Sequence, residues 1–488
     1  MAWKGEVARG REGYNLRIGE PEGEMSSVET KDASGAIAAL RDREAGEVVD
    51  RAAGGYEEAR RVWNGMIDRR PLAVVRCATA AQVAATIGVA GEQGLELAVR
   101  GGGHSLPGFG SCDGGIVLDL SRMRDVQVDV AGRRAVAGGG CTWADYDRAT
   151  QAHGLASTGG LVSTTGVGGL TLGGGIGWLT RAHGLACDNL LSAEIVTASG
   201  EVARAAGDEN EELFWALRGG GGNFGVVTRF EFALHPVTGV TAALILWPQE
   251  AAPEVGAAYR RWAEGLRDEL TTMLVFLTGP QMDGVPPHLQ GEPCVAVIGC
   301  HIGSGADAAR ELEPMSALAG AVDLSARVGY GELQQMFDAD FPAGRRYHFT
   351  DAFFDELSDG LVEVLASAAA ERPSAGCEID LHHMGGAAGR VGAEETAFAN
   401  RQARFTMNAY ACWEDPRDDA AHREWARGVR AACAPFAAGR GYVNFASEAG
   451  SADDVRDTYG AARYDRLRAI KRAWDPDNLF RLNQNVRP

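Results

Sequence analysis

Positive charge is what this chain has least of: 47 Lys and Arg stand against 66 Asp and Glu in 488 residues, a formal net charge of −19. That balance argues against nucleic acid or an anionic membrane surface as the main partner, since both call for basic patches. No apolar run approaches the roughly 20 residues of a membrane-spanning helix. The start, Met1-Ala2-Trp3-Lys4-Gly5-Glu6, carries no apolar signal core. A soluble, cytoplasmic protein is the expectation. The nine cysteines are scattered singly without a C-x-x-C pair, which points to reduced thiols rather than a disulfide framework. The ten histidines form no H-E-x-x-H or comparable cluster, so no metal is expected. The length is enough for two or three domains.

Glycine is abundant and grouped in four clusters. They are Arg100-Gly101-Gly102-Gly103-His104-Ser105, then Gly138-Gly139-Gly140, then a stretch from Gly159 through Gly166-Val167-Gly168-Gly169 to Gly173-Gly174-Gly175-Ile176-Gly177, and last Gly219-Gly220-Gly221-Gly222-Asn223-Phe224-Gly225. Without a Cβ, backbone N–H groups can turn inward and touch a ligand directly. Clusters spread over more than a hundred residues fit a long, multiply charged ligand such as a dinucleotide. Gly220, Gly222 and Gly225 satisfy G-x-G-x-x-G, but a helix-like stretch (211–217) precedes them and a strand-like stretch (226–232) follows. The Rossmann fingerprint requires the opposite order, so the dinucleotide is expected on another fold.

Along the chain, residues 1–35 are polar and rich in Glu and Gly, and read as a flexible arm. Residues 71–77 read as a strand, Thr79 as the cap of a helix toward Glu92, and 95–100 as a second strand ending in the first glycine cluster. Segments 115–120, 134–137 and 191–197 read as strands and 142–151 as a helix. The middle, 240–435, alternates apolar strands (242–247, 273–277, 294–299) with acidic or Ala-rich helices such as 355–370, as on an antiparallel sheet flanked by helices.

Together with Gly114-Gly115-Ile116-Val117-Leu118-Asp119-Leu120, Tyr442-Val443-Asn444 and Asp475-Pro476-Asp477-Asn478-Leu479-Phe480, the glycine clusters stand in an order that resembles the berberine-bridge-enzyme-like branch of the FAD-linked oxidases, the vanillyl-alcohol-oxidase superfamily, with the bacterial 6-hydroxynicotine oxidases similar in the first half. The resemblance runs from about residue 56 to the C-terminus. It implies an α+β protein: a PCMH-type FAD-binding domain in two parts, 36–238 and 439–488, and a central substrate domain, 239–438. It implies FAD bound covalently through His104. It places Arg100, Gly101, Gly102, Gly103, Ser105, Gly160, Thr164, Thr165, Gly168, Gly169, Gly173, Gly174, Gly177, Ile195, Tyr442 and Asn444 at the cofactor. Many relatives add a cysteinyl bond four residues before the Gly-Val-Gly-Gly motif; that position is Val162, so no second link is expected. Thr165 stands where relatives carry a small residue that influences oxygen access.

Each candidate has a plainer reading. His104 alone is a loop histidine, and Gly166 to Gly177 alone is a tight turn packed on a helix. Tyr442 is either a strand tyrosine buried in the core or, as the resemblance implies, a group near flavin N5 that binds substrate or acts as base. A phenol with a pKa near ~10 needs help for the latter. Glu378, Asp380 and His382 alternate with Ile379 and Leu381. That is a sheet with one wet face, or a polar face aimed at substrate. Asn408 replaces the Glu or Gln of plant relatives, so berberine-type ring closure by that route is not expected, though it can orient a substrate. The expected function is an oxidase of an alcohol, sugar or small secondary metabolite, with O2 reduced to hydrogen peroxide. A dehydrogenase with another acceptor, an amine oxidase and a non-catalytic flavoprotein remain open, as does the oligomeric state.

Overall fold

A computed structural model describes residues 27–438 and 441–488, with side chains from Ser34 onward. Most of the expected arm lies outside the described residues, and the boundary at 35 falls inside a helix, Ser27–Asp42. Beyond it lie a four-stranded sheet and a five-stranded sheet. The first orders its strands Glu47–Asp50, Ala73–Arg76, Ile116–Asp119, Leu97–Arg100, the last three parallel. Thr79 caps the helix Ala80–Glu92 by accepting the Gln82 amide, and Val83, Ile87 and Ala90 bury against the sheet. The βαβ unit is present, with Ile116–Asp119 inserted between its two strands.

The five-stranded sheet is antiparallel: Val126–Asp129, Arg134–Gly138, Val226–Ala233, Leu190–Val196, Val202–Ala206. Helix Glu211–Leu217 precedes the last glycine cluster and strand Val226–Ala233 follows it. The turn is therefore the reverse of a Rossmann loop.

A larger antiparallel sheet fills the middle of the chain. Its long strands lie side by side as Gly239–Pro248, Pro293–His301, Leu270–Thr278, Cys377–His383, Phe405–Trp413, Arg346–Phe354. Helices Ala252–Ala263, Asp359–Ala370 and Asp419–Cys433 cover one face. There Ile245, Leu274, Phe276, Ile379, Leu381 and Met407 form one core with Val255, Leu361, Leu365 and Val429. The helix expected over 355–370 begins later because Ser358 caps it, accepting the Leu361 amide. Side chains alternate across a strand, so Asp380, His382 and Asn408 face away from these helices.

The C-terminal helices Ala452–Tyr459 and Ala461–Trp474 return to the five-stranded sheet, placing Val455, Leu467 and Ile470 in one core with Trp215, Phe224 and Phe230. A fully buried ion pair locks this return. Lys471 Nζ donates to Asp475 Oδ2 at 2.6 Å, to the Asn223 carbonyl at 2.7 Å and to the Phe480 carbonyl at 2.9 Å. Asp475 accepts the amides of Leu479 and Phe480. Every charge here is met, and the fourth glycine cluster is tied to the chain's last turn. All nine cysteines are free and buried, and among the described residues no helix is long and apolar enough to cross a membrane. Replacing Lys471→Met strands the Asp475 carboxylate and two carbonyls. It is expected to lower stability by about 3 kcal/mol, read as a lower urea midpoint; an unchanged midpoint would contradict the lock.

Candidate functional site

Strand Leu97–Arg100 ends at the mouth of a cavity of ≈ 880 Å³. The Arg100 side chain is already committed, to Asp119 at 2.6 Å and to the carbonyls of Ala59 and Arg61. The following loop is different. The amides of Gly102, Gly103, His104, Ser105 and Leu106 donate to no protein acceptor among the described residues, and all five residues line the cavity. Gly103 sits at φ +73, which favours glycine. The loop lies directly on a second one: a Cβ added to Gly102 would overlap the Gly166 nitrogen, and one added to Gly166 would overlap Gly102. Among the described residues Arg100 is the only Lys or Arg in the lining, and its side chain is committed, so there an anion would be held by backbone N–H groups.

The expected cofactor residues divide. Arg100, Gly101, Gly102, Gly103, His104, Ser105, Gly160, Thr165, Gly168, Gly169, Tyr442 and Asn444 line the cavity. Gly173, Gly174 and Gly177 do not; added Cβ atoms there would run into the Asn444 amide, the Phe398 ring and the Gly159 carbonyl. Their lack of a side chain serves chain-on-chain packing. Ile195 is a core residue packed with Phe230 and Val227. Thr164 is also outside the lining and acts on His104 instead. Two clusters contribute more than the residues expected from sequence: Gly139 from the second, and Gly221, Gly222, Asn223 and Gly225 from the fourth, also line the cavity.

His104 Nε2 pairs with Thr164 Oγ1 at 3.2 Å. Its ring stacks on Trp63 with centroids 4.8 Å apart, and Trp63 stacks in turn on Tyr347 at 3.7 Å. Desolvation by the surrounding protein lowers its pKa to about 4, against a smaller opposing hydrogen bond at Thr164. The imidazole is therefore neutral at pH 7. Nδ1 is its ring nitrogen without a hydrogen-bond partner among the described residues.

Across the cavity stands the polar face of the central sheet. Asp380 pairs in register with Asn408, His382 with Thr406 and Glu378 with Tyr410. This face is not wet. Asp380, His382 and Asn408 are buried, and Asp380 Oδ1, His382 Nε2 and Asn408 Oδ1 have no hydrogen-bond partner among the described residues. Buried polar atoms without partners are costly, and these three belong to residues that line the cavity. Glu378 and Tyr410 complete the group, with Tyr410 OH donating to Glu378 Oε2 at 2.6 Å. Glu378 lines the cavity. Burial pushes its pKa up to about 7, although the Tyr410 hydrogen bond opposes this. Burial, reinforced by the Glu378 charge, holds Asp380 well above the usual carboxylate range. Burial lowers His382 to about 4. Glu378 and Tyr410 were missed as site residues; their period-two spacing with Asp380 and Asn408 was the available signal.

Tyr442 lies in a turn rather than a strand. Its backbone amide donates to Asp351, the register partner of Asn408. Its phenol oxygen accepts from the Gly175 amide and from Asn444 Nδ2, both at 2.8 Å. These donors favour the phenolate, but burial outweighs them and raises the pKa. With its pKa raised by burial, Tyr442 keeps its proton at neutral pH. All nine cysteines lie outside the cavity lining, and Val162 is part of it. A cavity of ≈ 880 Å³, a run of amides without protein acceptors among the described residues and a neutral imidazole together fit a flavin dinucleotide.

Residues 71–206 match the family described as FAD binding domain, and residues 441–487 the family described as berberine and berberine like. (R)-6-Hydroxynicotine oxidase of Paenarthrobacter nicotinovorans is 33% identical over 458 residues, covering 91% of this chain and 97% of its own length. The crystal structure of 6-hydroxy-D-nicotine oxidase from Arthrobacter nicotinovorans matches with a TM-score of 0.81 at 32% identity, over 91% of this chain and 98% of that one. Glucooligosaccharide oxidase from Acremonium strictum, with a 6-S-cysteinyl, 8α-N1-histidyl FAD, shares the fold with a TM-score of 0.82 at 23% identity, over 94% and 99% of the two chains.

The raised Glu378 pKa carries a sign. A carboxyl whose folded pKa exceeds its unfolded value near ~4.3 binds more protons when folded, so its contribution to stability is full below that value and falls as pH rises toward about 7. Glu378→Gln is therefore expected to flatten the decline in melting temperature between about pH 4.5 and 7. Parallel wild-type and variant profiles would contradict the assignment.

Proposed function

The chain belongs to the berberine-bridge-enzyme-like FAD-linked oxidoreductases, and on that premise we propose an oxidase that carries FAD through one bond to His104, oxidises an alcohol carbon of a small molecule and passes the electrons to O2. The observation that carries this reading is His104 itself. A neutral imidazole, held through Nε2 by Thr164 and stacked on Trp63, ends a run of glycines whose last two amides have no protein acceptor among the described residues. Nδ1 is then the nitrogen left for the link. Val162, and the absence of any cysteine from the cavity lining, support a single covalent bond.

In this reading, residues 36–238 and 439–488 hold the cofactor and 239–438 roof it. The amides of residues 102–106 take the pyrophosphate, and Gly168, Gly169 and Asn444 border the ring system. Bound FAD supplies a two-electron acceptor at N5. The chain's own groups handle the proton. Tyr442 retains its phenol hydrogen and donates it to the substrate oxygen as a positioning contact. Glu378, hydrogen-bonded by Tyr410 and raised to about 7, titrates nearer neutrality than Tyr442, and with Asp380 beside it, itself held well above the usual carboxylate range, forms the better-matched base. Asn408 and His382 offer an amide oxygen and a neutral imidazole nitrogen for orientation. Thr165, small and at the cavity wall, leaves room for oxygen. The carboxyl pair also suits a cationic group, which favours an amine substrate as the second reading.

Intact-mass measurement after acid precipitation is expected to find one FAD on the wild type and none on His104→Ala. A colourless wild type, or an adduct that survives the mutation, would refute the placement. Asp380→Asn is expected to slow anaerobic flavin bleaching by about 100-fold or more, tested across alcohols, sugars and amines with peroxide detection in air. Bleaching that leaves peroxide undetected points to a different acceptor.

A further inference from the structure

The cavity face of the central sheet changes character at one strand boundary. On the side nearest His104 it carries Tyr410, Asn408, Glu378, Asp380 and His382. On the next strand Met273 pairs opposite His382 and Val275 opposite Asp380, with Leu277 two residues on. One strand further, Ile298 pairs opposite Met273, and beyond it Leu244 pairs opposite Ile298. All of these apolar residues line the cavity. With strands ~4.8 Å apart, the apolar half reaches roughly 14 Å beyond the strand that bears Asp380.

The rim repeats the pattern. Among the described residues only four large hydrophobic side chains are exposed, and two of them, Met282 at 49% and Met336 at 44%, belong to this cavity. Exposed methionines with no core to fill suit a surface that adapts to apolar ligands. Arg100, the one Lys or Arg in the lining among the described residues, is held by Asp119.

We infer that the substrate is amphipathic: one hydroxyl or amine end beneath Asp380 and Asn408, and an alkyl or aromatic body beneath Met273, Val275, Leu277 and Ile298. An oligosaccharide would set hydroxyls against those four side chains, which offer no hydrogen-bond partner, and would lose them from water. Among the described residues of the lining, a carboxylate or phosphate tail would meet no free cation. This inference rests on the flavin-oxidase reading above and adds the substrate class.

The test uses purified holoenzyme and a series of 4-alkylphenols, from methyl to pentyl, followed by perturbation of flavin absorbance. Dissociation constants are expected to fall by about two- to fourfold per methylene, and each alkylphenol beyond ethyl to bind more tightly than xylobiose or cellotriose. Met336→Gln, at the exposed rim, and Leu277→Gln, inside, are expected to weaken the pentyl compound several-fold while leaving the methyl compound within twofold. Affinity that is independent of chain length, tighter binding of the oligosaccharides, or slopes unchanged in both variants would overturn the inference. A protein that purifies without flavin overturns the underlying reading and this inference with it. A flavin-bearing protein with a flat series overturns only the substrate class.

Discussion

Two polypeptide loops touch backbone to backbone at Gly102 and Gly166, and a side chain on either would overlap the other. The site depends on that contact. With no side chains between them, the 101–106 loop lies against the segment that begins the helix Val167–Leu172, and five consecutive amides are left without protein acceptors among the described residues. In a chain with a formal charge of −19, this is how a doubly charged diphosphate can be held without committing a cation. It also fixes His104: once the loop is pinned, the imidazole has Trp63 against its ring and Thr164 at one nitrogen. Neutrality of that imidazole follows from burial, and a neutral ring nitrogen is what a bond to carbon requires.

The second constraint is electrostatic. The central sheet spends one face on helices, where Leu274, Phe276, Ile379 and Leu381 supply hydrophobic stabilisation. That leaves the other face free to carry groups that weaken the fold. Asp380 Oδ1, His382 Nε2 and Asn408 Oδ1 are buried without partners among the described residues, an arrangement a purely structural sheet would not retain. The same desolvation drives the carboxyl pKa values up and the imidazole pKa down, so one physical cause yields both raised carboxyl groups and a neutral hydrogen-bonding ring. Tyr442 illustrates the limit of hydrogen bonding against desolvation: two N–H donors on its oxygen do not lower its pKa below that of a free phenol.

Long-range contacts hold these parts together. Asp351 grips the amide of Tyr442, 91 residues away, and Lys471 grips the carbonyl of Asn223, 248 residues away. The first docks the C-terminal turn under the central sheet; the second ties the last helix to the fourth glycine cluster. Both use buried charge, which holds a unique geometry because an unpaired alternative is so unfavourable.

Local signals were legible from the residues alone. The Thr79 cap, the strand–loop order around 219–226, the alternation at 378–382 and the ordered glycine clusters all report interactions within a few residues, and the ordered set carried the family. The split among the glycines was not legible. Glycine marks any place where backbone must come close, and sequence does not say to what; Gly102 and Gly103 open on to the cavity, whereas Gly173, Gly174 and Gly177 yield to Asn444, Phe398 and Gly159. Nor was the dryness of the Asp380 face, because period-two alternation is the same for a face turned to water and one turned to a cavity. Sequence by itself determined the elements and the chemistry available at His104, Asp380 and Tyr442. Tertiary structure alone decided which of those groups lose water, and therefore which keep their protons, because desolvation is set by neighbours that lie hundreds of residues away along the chain.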